Sequence, residues 1–514
     1  MKRLLALLCV AALLVTVPAL AEVQAIQYPI DTDVTLTMWI PMNTTAANYI
    51  QSYAENESFI YAQEATGIKV NFIHPSNTGV NEEFNLMVVS GNLPDIIVNH
   101  KYAAGDVAAV EDGLFLDLTP YMPEYSPVYY SYVMGNLEFY RDATTNDGRI
   151  LTYTNFKDVP TDVEGSWDRF IVRKDWLEEI GLTELSTAAD YELYFQHVLD
   201  TKQGITPFTM VKNGIERNFL TAFDILEGWY QVDGTIHYGP YEPAFKDYLA
   251  LMHSWYEKGF ISNDFTTYSS EPAAFRAGTS GGYNGTTVDA WIYSKELNMP
   301  IQSNPYLRLE KGQEIQGHYK LRPYNGQTAN ISADSKNFKE ALMFMDYGYT
   351  LEGSYTYCYG VPGVAWNYGE DGLPKYTDYV LKNDKYNISE VDYILRLHEG
   401  FPHMRDSDRF SIPSNIADPS TVNFRLQWQD DPNYKVDWVL PTIQLPPETA
   451  SRRGEIMTEV ETYRDEMVLK FIVGAESLDN FDKYMDTLKN LGMDEAISLT
   501  QDAYESYLEK TIPE

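Results

Sequence analysis

Apolar and polar positions alternate over Val34–Pro41. Val34, Leu36, Met38 and Ile40 point one way and Thr35, Thr37 and Trp39 the other, which predicts a strand. The next segment, 46–65, reads as a helix stopped at Gly67, where a left-handed residue can close the last turn. Ile68–His74 reads as a second strand, Glu82–Ser90 as a helix ending at Gly91, and Leu93–Val98 as a short buried strand. Strand–helix–strand–helix–strand predicts a parallel sheet with right-handed crossovers. Ligands of such sheets bind beyond the carboxyl ends of the strands, so Trp39–Asn43 and Asn99–Tyr102 are the first positions to consider. A second α/β region opens near Trp167, with a strand in Arg169–Arg173 and a helix from Lys174 to Gly181. Further helices are predicted at 191–199, 243–258 and 336–347, and the last stretch, 455–512, is strongly helical. There Ile456, Val460, Tyr463, Met467 and Phe471 form one apolar stripe. The Gly-, Tyr- and Asp-rich tract 360–390 reads as loop.

The 514 residues are enough for two or three packed units at ~150 residues each. Acidic residues number 74 and basic residues 38, a formal charge of −36. That balance argues against nucleic acid, whose phosphates require a basic surface. Tyr is unusually abundant, 40 residues beside 22 Phe and 9 Trp. Flat rings with a polar handle suit amphipathic ligands.

The first residues read as an address. Lys2 and Arg3 precede an apolar run from Leu4 to Val17, and Pro18-Ala19-Leu20-Ala21 supplies a small-residue cleavage site, so residues 1–21 are expected to be an export signal. Cys9 lies inside the apolar run after Leu7-Leu8, which predicts no lipid anchor, and Cys358 is then the sole remaining cysteine. It is expected to be a buried, inert thiol in a monomer, leaving no internal disulfide and no cysteine metal site.

Catalytic motifs find no support. The His residues are scattered, and His398 and His403 lie five apart across a Gly-Pro turn. Gly278–Gly282 matches G-x-S-x-G, but a helix-like segment precedes Ser280 where a nucleophile elbow needs a strand. Two glycosidase carboxylates cannot be picked from 74 acids. No GxxxxGK[ST] or GxGxxG is present.

Several strings in order carry a resemblance. LTMWIP is followed by EATGIKVNF, LMVVSGNLPDII, EDGLFLDLTPYMPEY, DRFIVRKDWLEEIGL, YLALMHSWYEKGFIS, NFKEALMFMDYGYTLEG, YGVPGVAW, DGLPKYTD and KFIVGAESLDNFDKYMDTLKNLGMDEA. Over nearly all of 34–512 the chain resembles the extracellular solute-binding proteins, family 1, of carbohydrate ABC importers, in a subgroup with LipO-like lipoproteins and alginate-oligosaccharide binders. The resemblance implies an α/β, two-lobed periplasmic-binding-protein-like fold of type II, with interleaved lobes and hinge crossings. The expected lobes are 31–158 plus 322–380, and 162–320 plus 381–514. It implies capture of an oligosaccharide by aromatic stacking and hinge closure, permease subunits at the membrane as partners, no enzymatic activity and no cofactor. A secreted glycosidase or lyase, and a polysaccharide receptor without a transporter, remain open as alternatives. The chain departs from its relatives where many carry a calcium loop: at 200–208 Asp200 is present but the alternating oxygen ligands are not, so no metal is expected there.

The residues expected to hold the sugar are Trp39, Asn43 and Asn99 from the first lobe. The second is expected to give Trp167, Arg169, Trp229, Tyr230, Tyr283 and Trp291, and the later crossing Tyr359 and Trp366, with Arg425 and Trp428 beyond it.

Overall fold

A computed structural model describes residues 25–513 except 45, 101, 104, 159–167, 268–270, 287–293, 295–296, 318–323, 371, 373, 387, 396–399 and 407–432. The first strands in chain order are β1 (Thr35–Trp39), β2 (Lys69–Ile73), β3 (Ile96–Val98), β4 (Tyr153–Asp158) and β5 (Asp168–Arg173). They are followed by β6 (Trp229–Val232), β7 (Thr235–Tyr238), β8 (Gly282–Thr286), β9 (Ile301–Asn304) and β10 (Ile315–Gln316). The last are β11 (Tyr324–Ile331), β12 (Trp366–Tyr368), β13 (Pro374–Tyr376), β14 (Met404–Asp406) and β15 (Tyr434–Lys435).

The larger sheet runs β14-β4-β11-β3-β1-β2. As the sequence predicts, β1 lies parallel to both β2 and β3. The sheet as a whole is mixed, because β11 returns antiparallel between β3 and β4. Both faces are covered, and the two-residue alternation divides between them. Leu36, Met38, Ile96 and Val98 enter the main first core with the helices Glu57–Thr66, Phe338–Tyr347 and Leu351–Tyr359. Trp39 and Ile97 face the other way, onto Phe84, Ala109 and Phe115. The helix before β2 stops where expected: Gly67 has φ +75°, and a Cβ there would sit 2.4 Å from the Ile30 carbonyl oxygen.

The second core is built on a small antiparallel sheet, β8-β5-β9. Phe170 and Val172 of β5 pack against the helices Ala188–Thr201, Phe245–Glu257, Pro447–Ile472 and Phe481–Asn490. The predicted C-terminal stripe is realised, with Ile456, Val460, Met467 and Phe471 buried and Tyr463 packed against them.

The two cores are interleaved along the chain. The first takes residues from Leu36 to Phe156 and from Ala329 to Met404, and the second from Phe170 to Leu307 and from Ile456 to Ala496. The second boundary departs from expectation. Residues after 381 do not pass directly to the second lobe: Val391, Ile394, Leu395, Phe401 and Met404 pack into the first core, and β14 pairs with β4. Nor is 360–390 all loop, since β12 and β13 form a hairpin and Asp378–Leu381 is helical. These elements are only three or four residues long, too short for a periodicity to mark them.

Candidate functional site

A cavity of about 800 Å³ opens between the first lobe and the segment that leads into the long C-terminal helix. Its first-lobe wall is made by strands and by two helix ends. Thr152, just before β4, and Thr154 on it line the cavity, as does Thr328 of β11, which is the register partner of Thr154. Tyr102 and Ala103, with Gly105–Val107 at the start of the helix Gly105–Glu111, form one side. Asp142 and Ala143, at the end of the helix Leu137–Ala143, form another with Thr145 and Leu151. Opposite lie Thr442–Leu445, Pro447, Ala450 and Ser451. Pro441, Pro446 and Pro447 hold this segment out of a helix until Pro447, where a proline is tolerated in the first turn.

The wall is held by buried hydrogen bonds. Thr152 donates to the carbonyls of Tyr153 and Ala329, both at 3.1 Å. The Thr154 hydroxyl is buried and has no partner among the described residues. Asp106 accepts from the Asn330 amide at 3.4 Å. Asp142 is 3% exposed and accepts from the Tyr507 hydroxyl at 2.9 Å. The Tyr102 hydroxyl donates to the Asp112 carboxylate at 3.1 Å, which raises its pKa.

The same wall is where the C-terminal helix, Met493–Glu509, reaches the first lobe. Arg141 donates to the carbonyls of Lys510 at 3.1 Å and Leu508 at 2.5 Å. Lys510 in turn donates to the carbonyls of Arg141 at 2.9 Å and Thr144 at 2.5 Å. Each helix end thus satisfies the other's last carbonyls with a cation. Burial pulls the Lys510 pKa down to about 8; Asp142 and Asp147 oppose that shift and Arg141 adds to it.

Of the positions considered from sequence, Tyr102 lines this cavity, and none of the other described nominees does. Trp39 is 1% exposed, its ring 5.3 Å from His100 and 6.0 Å from Phe84, because β1 is an interior strand whose second face is also covered. Asn43 accepts from the Ala46 amide at 3.2 Å and so shapes its own turn. Asn99 stands directly behind the wall. It takes φ +54°, exchanges backbone and side-chain bonds with Thr328 at 2.8 and 3.2 Å, and donates to the Gly400 carbonyl at 2.7 Å. Arg169 is buried with its guanidinium 4.6 Å from the Tyr306 ring centroid. Trp229 lies under Arg453 at 5.4 Å, and Tyr230 stacks between His237 and Trp438 at 5.3 and 5.8 Å. Tyr283 packs on Phe275 at 4.9 Å. Tyr359 and Trp366 meet at 6.2 Å in the first core, where the Trp366 indole donates to the Gly360 carbonyl at 2.8 Å. Trp167, Trp291, Arg425 and Trp428 lie outside the described residues.

The tyrosine excess therefore serves the cores to a large extent: Tyr129, Tyr153, Tyr191, Tyr194, Tyr238, Tyr248, Tyr283 and Tyr306 are almost fully buried. What sequence reasoning missed was a weaker signal, hydroxyl residues two apart on strands. Thr152 and Thr154 in LTYTNF, at the start of β4, are so spaced, and Thr328 in QTAN is the register partner of Thr154.

The other candidate motifs have structural roles. Ser280 is buried, donates to the Gly282 carbonyl at 2.7 Å and precedes a strand rather than a helix. Asp200 accepts from Gln196 one turn earlier at 2.9 Å. Cys358 is buried in the first core, 3.9 Å from the Met404 carbonyl oxygen. Among the described residues no group of three or more His, Cys, Asp or Glu is placed to hold a metal ion, and no helix is long and apolar enough to cross a membrane.

The bacterial extracellular solute-binding protein family profile matches residues 43–354, more than half of the chain. The chain belongs to that family. It is 22% identical over 488 residues to lipoprotein LipO of Bacillus subtilis, covering 86% of this chain and 88% of that protein. Among solved structures, the S. pneumoniae ABC-transporter substrate-binding protein FusA in complex with kestose is similar with a TM-score of 0.75 and 17% identity, over 92% of this chain and 99% of FusA. The alginate-binding protein AlgQ2, solved without calcium ion, is similar with a TM-score of 0.74 and 18% identity, over 94% and 100%. These solute-binding proteins share the two-lobed fold with this chain.

Proposed function

We propose that this solute-binding protein captures an oligosaccharide outside the cytoplasm and hands it to the permease subunits of an ABC importer without altering it. The observation that carries this reading is the cavity between the lobes, about 800 Å³ and walled by Thr145, Thr152, Thr154, Thr328 and Thr442 together with Gln444 and Ser451. Hydroxyls and amides both donate and accept, so they match a ligand dense in hydroxyls. The volume falls in the upper part of the range for small-molecule sites. The interleaved chain supports closure of one lobe on the other, with 31–158 and 324–406 moving against 168–317 and 433–496.

In this reading residues 1–21 direct export and are removed, the mature chain is a monomer without a lipid anchor, and Asn99 positions Thr328 rather than touching sugar. Isothermal titration of the purified chain with tri- and tetrasaccharides tests the capture step, and saturable binding of at least one is expected. Chromatography of the same mixtures after long incubation tests the absence of turnover, and any product would overturn that part. Intact mass of the secreted protein reports cleavage after Ala21 and any added lipid.

A further inference from the structure

We propose that the lobes turn about an axis running along β4, with the end of the C-terminal helix as its second bearing. This rests on the proposed hinge closure and adds where the turn is made. The first bearing is covalent. The chain leaves the first lobe after Asp158 at the end of β4, returns at Tyr324 at the start of β11, and leaves again after Asp406 at the end of β14. Those ends are paired: Phe156 faces Tyr324, and Asp158 faces Asp406. All three crossings therefore attach at one corner of the larger sheet. In the second lobe, Ile315 and Tyr434, beside the second and third crossings, are paired as well.

The second bearing lies at the other end of β4. The helix Leu137–Ala143 runs back along this strand. Its Phe139 ring stacks on Phe156 at 4.3 Å, and its last residues, Asp142 and Ala143, line the cavity with Thr152. β4 spans roughly 17 Å at ~3.3 Å per residue, which sets the separation of the two bearings. The helix Met493–Glu509 starts in the second core, where Met493 and Ala496 are buried. It ends on the first lobe. There Arg141 and Lys510 donate to each other's neighbouring carbonyls, Tyr507 donates to Asp142, and Ile512 packs on the first core. A buried contact with this many bonds resists separation, and one corner of crossings plus one such lock restricts two bodies to rotation about the line that joins them. That line passes the cavity floor at Thr152, Thr154 and Thr328. A turn about it changes the gap between the walls at Tyr102–Val107 and Pro447–Ser451 and leaves the lock in place.

The test places pairs of spin labels on the full secreted chain. Leu137→Cys with Asp502→Cys spans the lock, and Glu111→Cys with Glu448→Cys spans the cavity walls. All four positions are exposed, and the native Cys358 is buried. In the sugar-free protein the lock pair should give a distance distribution about twofold narrower than the wall pair, or narrower still. Arg141→Met with Lys510→Met removes the cation–carbonyl bonds and should broaden the lock pair to the width of the wall pair. Lys510→Met alone should broaden it in the same sense, which keeps the comparison should the double variant not melt cooperatively. A lock pair as broad as the wall pair, two equally narrow pairs, or a lock width unchanged by these substitutions overturns the inference. Calorimetry that finds no sugar bound overturns the capture reading and leaves these widths as they are.

Discussion

The contact between the C-terminal helix and the first lobe can be tested through Lys510. The residue is 7% exposed, and its ammonium donates to the Arg141 and Thr144 carbonyls. Lys510→Met keeps the stem and removes both bonds. Charged hydrogen bonds contribute about 1.5–3 kcal/mol each, a gross loss of about 3–6 kcal/mol. Against this, removing the charge relieves its burial. The folded pKa is lowered from 10.5 to about 8, which corresponds to about 3 kcal/mol at 1.36 kcal/mol per pH unit. The net expectation at pH 7 is a loss of about 1–2 kcal/mol. The pH dependence is more diagnostic. Below pH 8 the amine is protonated in both states, and the burial cost is constant. Between pH 8 and 10.5 the folded chain releases the proton while the unfolded chain keeps it, so this group's contribution to stability rises with pH. The gap between the native protein and Lys510→Met should widen by about 2–3 kcal/mol between pH 7 and pH 10. Urea unfolding of both proteins at each pH measures it, and taking the difference cancels the alkaline titration of other groups. A gap that stays constant or narrows would refute the reasoning.

Asp346 should act in the opposite sense. Its carboxyl accepts from the Tyr129 amide at 2.8 Å and the Ser126 hydroxyl at 3.0 Å, yet burial raises its pKa from 3.8 to about 7. The folded state therefore holds the proton more tightly, and its contribution to stability is full below about pH 4 and lost as pH rises towards 7, by at most about 4 kcal/mol. Melting temperatures across pH 4–8 should show that fall in the native protein and not in Asp346→Asn. Trp39→Ala should lower stability by about 3–5 kcal/mol and leave sugar affinity within about twofold after correction for the folded fraction, the reverse of what a stacking platform would give. Gln444→Ala, at a half-buried lining residue, should weaken the sugar by about three- to tenfold, the equivalent of one neutral hydrogen bond, with the urea midpoint little changed. Cys358 should resist a thiol reagent until denaturant is added, and rapid labelling of the native protein would contradict its burial.

Local periodicity determined much of the scaffold. The alternation in β1 set Leu36 and Met38 into the first core, the glycines at 67 and 91 closed their helices in left-handed conformations, and the stripe from Ile456 to Phe471 found the second core. These features depend on neighbours within a few residues, and so the order of residues suffices. Tertiary structure decided which apolar and aromatic groups meet ligand. A Trp at a strand end faces a cleft if its strand lies at an edge and a core if helices cover both faces, and the covering helix of Trp39 carries Phe84, 45 residues later in the chain. The cavity wall is likewise non-local. Thr154 faces Thr328 across a strand pair, and Asp142 is bonded to Tyr507. A hydroxyl or carboxylate has no periodic signature that says what stands opposite it, and only the packing of the two lobes supplied that.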